Sequence, residues 1–249
     1  MTESYNLEVK TYKKLNKLKK EKEIILFHHL GLGDAIVCNG MVNYISQKFN
    51  KVHLVVHERY SGQMDFLYSN NTNVELIIVD SDDDKKLLEF SKKNNLKILK
   101  VGFEYRKNGP FNIMLYKQLG LNHKISFEYF NPPSDDQKSK KLEKHLRKYY
   151  SIKDDFILVH DQSDEIKYEL NINSNISSIK IEKESDIYKN IFLYIPLIQK
   201  AKEIHCVDSS FIHLVEHVET NSTLYYHTNR NSNINLEKDW IKVEYKSRS

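Results

Sequence analysis

The stretch HHLGLGDAIVCNG, His28 to Gly40, follows the apolar run Ile24 to Phe27 and leads into residues with helical spacing. Two of only 7 glycines in 249 residues flank Leu32 here, and Asp34 comes directly after the second. The apolar run has strand length. Beyond it Ile36, Val37, Met41, Tyr44, Ile45 and Phe49 recur with the period of one helix face. A strand that passes through a glycine-bearing turn into a helix opens a βαβ unit. Gly31 and Gly33 are expected to allow positive φ and close approach of a ligand. The turn is expected at the carboxyl edge of a parallel sheet, where open α/β folds bind ligands. Asp34 is expected to begin the helix, and N-cap service is the simplest role for it.

Outward from this point the rhythm continues. KVHLVVH (51–57), VELIIVD (74–80) and LKILKV (96–101) read as strands, and DDKKLLEFSKKN (83–94) as a short helix. Pro132 and Pro133 then interrupt regular structure. The rhythm resumes with strands at DFILVH (155–160), SSIKIE (177–182), EIHCVD (203–208) and STLYYH (222–227). YKNIFLYIPLIQKA (188–201) and SSFIHLVEHV (209–218) read as helices, the first distorted or started by Pro196. The pattern predicts an α/β protein with mostly parallel sheets. Its parts are a basic arm (1–23), a first domain (24–130), a linker and charged helix (131–150) and a second domain (151–249).

Composition narrows the function classes. Hydrophobic residues make up 40% of the chain, enough for a core, and the formal net charge is only +4. A nucleic-acid binder would concentrate basic residues on one surface, so no nucleic-acid partner is expected. Lysines do cluster in KTYKKLNKLKKEKE (10–23), which reads as a solvated arm or as a peripheral contact with an anionic membrane surface. The first 23 residues lack the apolar core of a signal peptide, and no stretch has the 18 apolar residues of a membrane span. Cys38 and Cys206 lie far apart in apolar surroundings and read as reduced core residues. A cytoplasmic protein, peripheral to the membrane at most, is the expectation.

Several constellations offer chemistry. As a dinucleotide fingerprint, GLGDAI lacks its third glycine, because Ile36 stands there; Glu58 would be the ribose ligand. In IHCVDSSFIHLVEHV (204–218) a strand ends in Asp208, and Ser209 and Ser210 open a helix whose N-terminus favours an anion such as a diphosphate. Ordinary capping explains the same residues. His213, Glu216 and His217 form an H-x-x-E-H string that on a helix could hold zinc, without a convincing third ligand downstream. Asp80-Ser81-Asp82 has the spacing with which two carboxylates hold a divalent cation against a diphosphate.

Taken in order, the strand–GLGD–helix near the start and the strand–DSS..H–helix in the second half resemble glycosyltransferase family 9, the heptosyltransferase-like enzymes. The residues that carry the resemblance span roughly 24–57 and 188–218. The resemblance implies a compact GT-B fold, with two Rossmann-like domains facing across a cleft. It implies an inverting, metal-independent glycosyltransferase with no cofactor, moving a sugar from a nucleotide-diphosphate sugar to a glycan or lipid-linked glycan hydroxyl. Asp34 would be catalytic, beside an acceptor-side loop of His29, Gly31 and Gly33. Asp208, Ser209, Ser210 and His213 would hold the nucleotide-sugar. Two positions depart from the family pattern: Ser210 stands where the family has glycine, and His160-Asp161-Gln162 where it has His-Pro-Gly. They motivate one alternative, a catalytically inactive nucleotide- or glycan-binding module; the Asp80-Ser81-Asp82 spacing motivates another, a metal-dependent GT-A-like transferase using Asp80 and Asp82.

Overall fold

The computed structural model describes residues 11–80, 84–102, 109–163, 166–228 and 234–245. The chain divides into two compact units, 1–131 and 132–249. The first contains β1 (Thr11–Tyr12), β2 (Glu23–Phe27), α1 (Leu32–Ser46), β3 (Lys51–His57), α2 (Ser61–Tyr68), β4 (Val74–Val79), α3 (Asp84–Asn94), β5 (Lys97–Lys100), α4 (Phe111–Leu119) and α5 (Ile125–Glu128). Its five strands form one sheet in the order β1-β5-β2-β3-β4, and every pairing is parallel. Ile24, Ile25 and Leu26 sit in the central strand and are fully buried, as a strand covered on both faces requires. The lysine-rich residues 11–23 are docked on this unit. Thr11 and Tyr12 pair with β5, and Leu18 of a 3₁₀ turn is fully buried, while Lys14, Lys17, Lys19, Lys20 and Lys22 face solvent.

Helix α1 is buried almost all round, from Ala35 to Val42, because α4 and α5 cover what the sheet does not. Gly40 makes that possible. A Cβ there would lie 2.4 Å from the Ile125 carbonyl oxygen and 2.6 Å from that of Ser126, so only glycine lets α5 approach. The Tyr116 hydroxyl bridges a backbone pair that a regular helix joins directly: it accepts from Met41 N–H (3.1 Å) and donates to Val37 C=O (2.7 Å). An asparagine ladder fixes the far end of the helix. The Asn43 amide donates to Asn39 Oδ1, and the Asn71 amide donates to Asn43 Oδ1 and Ser46 Oγ.

The second unit contains α6 (Asp136–Tyr149), β6 (Ile157–His160), β7 (Gln162–Ser163), β8 (Ile166–Lys167), β9 (Ser178–Lys180), α7 (Ile195–Lys200), β10 (Glu203–Val207), α8 (Ser210–His217), β11 (Thr223–His227) and β12 (Trp240–Val243). Its sheet runs β12-β11-β10-β6-β9, again all parallel, with β7 and β8 as a separate two-residue hairpin. The helix expected over 188–201 is a 3₁₀ turn at Ile191–Tyr194 followed by α7, with Pro196 in the first turn of α7 where its missing N–H costs nothing. β12 is a strand beyond the expected last one. On one face of this sheet a hydrogen-bonded row crosses the strands. Tyr245 accepts from Asn171 N–H and hydrogen-bonds His227 Nδ1 (2.7 Å). His227 Nε2 then meets His205 Nδ1 (3.0 Å), and His205 Nε2–H donates to Glu203 (3.1 Å). The contact between the two rings needs one of its facing nitrogens unprotonated.

Candidate functional site

Because both sheets are parallel, each gathers the loops that follow its strands at one carboxyl edge. In the first unit β2 delivers His28 and His29 to that edge, and β5 delivers Gly102. His28 is buried and donates from Nδ1 to the His29 carbonyl (2.6 Å); its Nε2 is buried with no hydrogen-bond partner among the described residues. Burial pushes its pKa down to about 4, so the ring is neutral. His29 donates from Nε2 to the Gly102 carbonyl (3.0 Å). Gly102 has φ +96°, and a Cβ there would lie 2.6 Å from Leu115 and 2.8 Å from the His29 ring. Gln118 fastens the same corner by accepting from Gly102 N–H (2.8 Å) and donating to Lys100 C=O.

The helix after this loop starts differently from the sequence expectation. Gly31, not Asp34, is the N-cap, with φ −68° and ψ 149°, and Gly33 lies inside the first turn. Neither needs positive φ; among the described residues the left-handed glycines are Gly102, Gly109 and Gly120. Asp34 occupies the third helical position, from which an acidic side chain can reach back toward the N-cap. Its carboxylate does so: a Cβ on Gly31 would lie 2.6 Å from Asp34 Oδ2. The space that Gly31 clears is therefore filled by Asp34 itself. The carboxylate is half-buried at the positive end of a 15-residue helix, where the helix dipole favours negative charge.

In the second unit the carboxyl edge gathers His160 and Asp161 from β6, Lys180 from β9, and Asp208 to Ser210 from β10. Asp208, Ser209 and Ser210 are half-exposed. Ser209 is the N-cap of α8 by position but makes no side-chain cap; its hydroxyl hydrogen-bonds His160 Nδ1 instead (3.0 Å). His160 stacks on Phe211 (5.3 Å between centroids), and burial lowers its pKa to about 4. Asp161, an awkward neighbour for phosphate, is buried and paired with Lys180 (3.2 Å). Lys167, on the hairpin that follows β6, pairs with Glu182 (3.2 Å), which also accepts from the Tyr150 hydroxyl (2.7 Å). These lysines, Glu182 and Tyr150 are absent from the sequence-derived site. The legible signal was a lysine closing the apolar strand SSIK.

The remaining sequence candidates fall elsewhere. His213 is 4% exposed, inside the packed side of α8, with its pKa pushed to about 3 by burial and by His217. Glu216 accepts from the Trp240 indole (2.7 Å) and from Lys238 N–H, and His217 donates to the His213 carbonyl (2.7 Å). Among the described residues no group of three or more His, Cys, Asp or Glu could hold a metal ion. Asp80 pairs with Lys86 (2.7 Å); Ser81 and Asp82 lie outside the described residues. Glu58 opens a 3₁₀ turn after β3. Cys38 and Cys206 are buried and unbridged. Among the described residues no helix is long and apolar enough to cross a membrane.

In fold the chain is similar to a crystal structure described as the glycosyl transferase family 9 from Veillonella parvula DSM 2008, with TM-score 0.56 and 11% sequence identity. The likeness covers 91% of this chain and 89% of that one. No protein-family model and no curated protein matches the sequence.

Proposed function

We propose that the chain is an inverting, metal-independent glycosyltransferase that moves a sugar from a nucleotide-diphosphate sugar to a glycan hydroxyl, the glycan free or lipid-linked. The observation that carries this reading is the likeness in fold, over nearly the whole chain, to a structure described as a family 9 glycosyl transferase. The chemistry of the two loops supports the division of labour. In the first unit a carboxylate already sits over the start of α1, which disfavours a bound anion and suits a hydroxyl acceptor. Asp34 is the general base: the attacking hydroxyl must lose its proton as the new bond forms, and a carboxylate within about 2.6–3.2 Å can take it. In the second unit Ser209 and Ser210 lie at a helix N-terminus with Lys180 on the same sheet edge, and they hold the diphosphate, with Asp208 ordering the loop. Fixed N–H groups and the helix dipole stabilise the leaving diphosphate in place of a cation. The surface lysines of residues 13–22 are a candidate contact with the membrane that would carry a lipid-linked acceptor.

The test is turnover. With a panel of nucleotide-diphosphate sugars and glycan acceptors, in the presence of a chelator, the expected result is release of the nucleoside diphosphate and an acceptor glycosylated with inverted configuration. Saturable nucleotide binding without product across the panel would favour the binding module. Transfer that chelation abolishes and manganese restores would favour the metal-dependent alternative.

A further inference from the structure

Helix α6 carries a surface that neither loop uses. Leu142 and Leu146 are fully buried, and Ser139 is nearly so; this side packs on the 191–194 turn and α7. The opposite side carries Lys140, Lys141, Lys144 and Lys148, all exposed. At 3.6 residues per turn these four fall within an arc of about 100° and along about 12 Å of helix. No carboxylate of the helix lies within that arc, although Asp136, four residues before Lys140, borders it at about 40°.

The charge bookkeeping of the helix separates this stripe from its neighbours. Lys138 pairs with the N-cap residue Asp135 (3.0 Å). Glu143 is shared by Arg147 (3.1 Å) and by Lys200 of α7 (2.6 Å). Arg147 is further held by the Asp154 carbonyl (2.9 Å) and lies over the Phe156 ring (4.8 Å). The ammonium groups of Lys140, Lys141, Lys144 and Lys148 have no partner among the described residues. In a chain with a net charge of only +4, four uncompensated cations on one rigid face are a local concentration.

We propose that this outer face of α6 docks the protein on an anionic membrane surface. The residue types favour a lipid surface over a nucleic acid. The one arginine of the helix, whose planar fork suits bidentate phosphate recognition, is engaged internally. The stripe is all lysine, a hydrated point charge suited to attraction by a headgroup layer. The face is convex and carries no aromatic groove on which bases could stack. A basic cluster next to an anionic leaflet gains roughly fivefold in partitioning per lysine.

The experiment is co-sedimentation of the full chain with vesicles of phosphatidylcholine alone or mixed with phosphatidylglycerol. Binding is expected only to the mixed vesicles. It should weaken sharply between about 0.1 M and about 1 M salt, as the Debye length falls from about 10 to about 3 Å. Replacing Lys140, Lys141, Lys144 and Lys148 together with Gln keeps helix propensity and should cut partitioning by about a hundredfold or more. Two controls guard the result. Lys92, Lys93, Lys117 and Lys124→Gln removes the same charge from dispersed exposed positions and should cost less than about fivefold. Lys→Arg at the four α6 positions should retain binding. Should the quadruple Gln variant fail to fold by circular dichroism, Lys144→Gln with Lys148→Gln is expected to lose about 25-fold. Wild-type chain that ignores phosphatidylglycerol, equal loss in the α6 and dispersed variants, or α6-dependent capture of an oligonucleotide without vesicle binding would each overturn the proposal.

Discussion

The loop after β2 and the loop after β10 occupy equivalent places in their sheets and are built on different plans. The first uses small residues. Gly31 leaves room for the Asp34 carboxylate to fold over the start of α1, and Gly102 leaves room for the His29 ring. The second has no glycine. Its N-cap serine gives its hydroxyl to His160, and the neighbouring Asp161 is neutralised by Lys180. One loop therefore ends in a carboxylate set at a helix N-terminus. The other ends in two serines beside a lysine-bearing sheet edge. The contrast teaches that a common strand–loop–helix frame can be given opposite electrostatic character by where one side chain folds.

The two units also differ in how they treat histidine, and this gives the largest expected effect. Burial lowers the pKa of His160 and His227 to about 4 and of His213 to about 3 in the second unit, against His28 alone, at about 4, in the first. Below pH 6.5 the unfolded chain takes up protons that these buried rings refuse. The unfolded state then binds more protons, and stability falls with falling pH. The contribution is complete above about pH 6.5 and is lost down to about pH 4, at up to roughly 1.4 kcal/mol per pH unit for each ring. The Glu203–His205–His227–Tyr245 row, which contains one of these rings, lies in the same unit. Hydrogen exchange at pH 7 and pH 5 should therefore show amide protection collapsing in 132–249 before 1–131. Equal loss in both units would refute the difference.

Next in size is Gly40→Ala. Helix propensity alone favours alanine by about 1 kcal/mol. The new Cβ would meet two backbone carbonyl oxygens of α5, so the variant should instead be destabilised by about 1–3 kcal/mol. A rise in melting temperature would mean that α5 yields freely. Smaller still, replacing Ser209 and Ser210 together with Leu should weaken nucleoside diphosphate binding by more than about tenfold, or 1.4 kcal/mol. Calorimetry on the folded double variant would detect this, and unchanged affinity would remove the second loop from the nucleotide site. The smallest change is Gly31→Ala. Its Cβ would displace only the far end of the Asp34 side chain, so stability should move by about 1 kcal/mol or less. A loss of several kcal/mol would mean that the loop is rigid where a flexible carboxylate is expected to yield.

Much of this was legible along the chain. Apolar runs with strand length and one-sided helical periods mark the strands and the helices α1, α3 and α8, because burial writes itself into residue type. The local start of α1 was not legible. Glycine reads as a breaker, but here Gly31 and Gly33 sit at the cap and first turn of a helix that tertiary burial of residues 35–42 stabilises. The role of Gly40 depends on α5, more than eighty residues away in sequence. The short helices α2, α4 and α5 escape because their order comes from packing on α1 and the sheet. The resemblance sets His213 beside the nucleotide-sugar, and the burial of its side chain comes from the packing of α8. Lys180 reaches the second edge because β9 pairs beside β6, an adjacency that one-dimensional reading cannot supply, and Lys167 meets Glu182 from the β7–β8 hairpin.

The central claim is that Asp34 takes the proton from an attacking sugar hydroxyl, and Asp34→Asn tests it most directly. Asparagine keeps the size of the side chain and its reach toward Gly31 but cannot accept the proton. With turnover of a nucleotide-diphosphate sugar, nucleotide affinity and melting temperature measured on the same preparations, the account predicts at least about a hundredfold loss of turnover. Affinity and melting temperature should stay close to those of the parent. A folded Asp34→Asn protein that transfers sugar at the parental rate would contradict the account and leave Asp34 as part of the helix start alone.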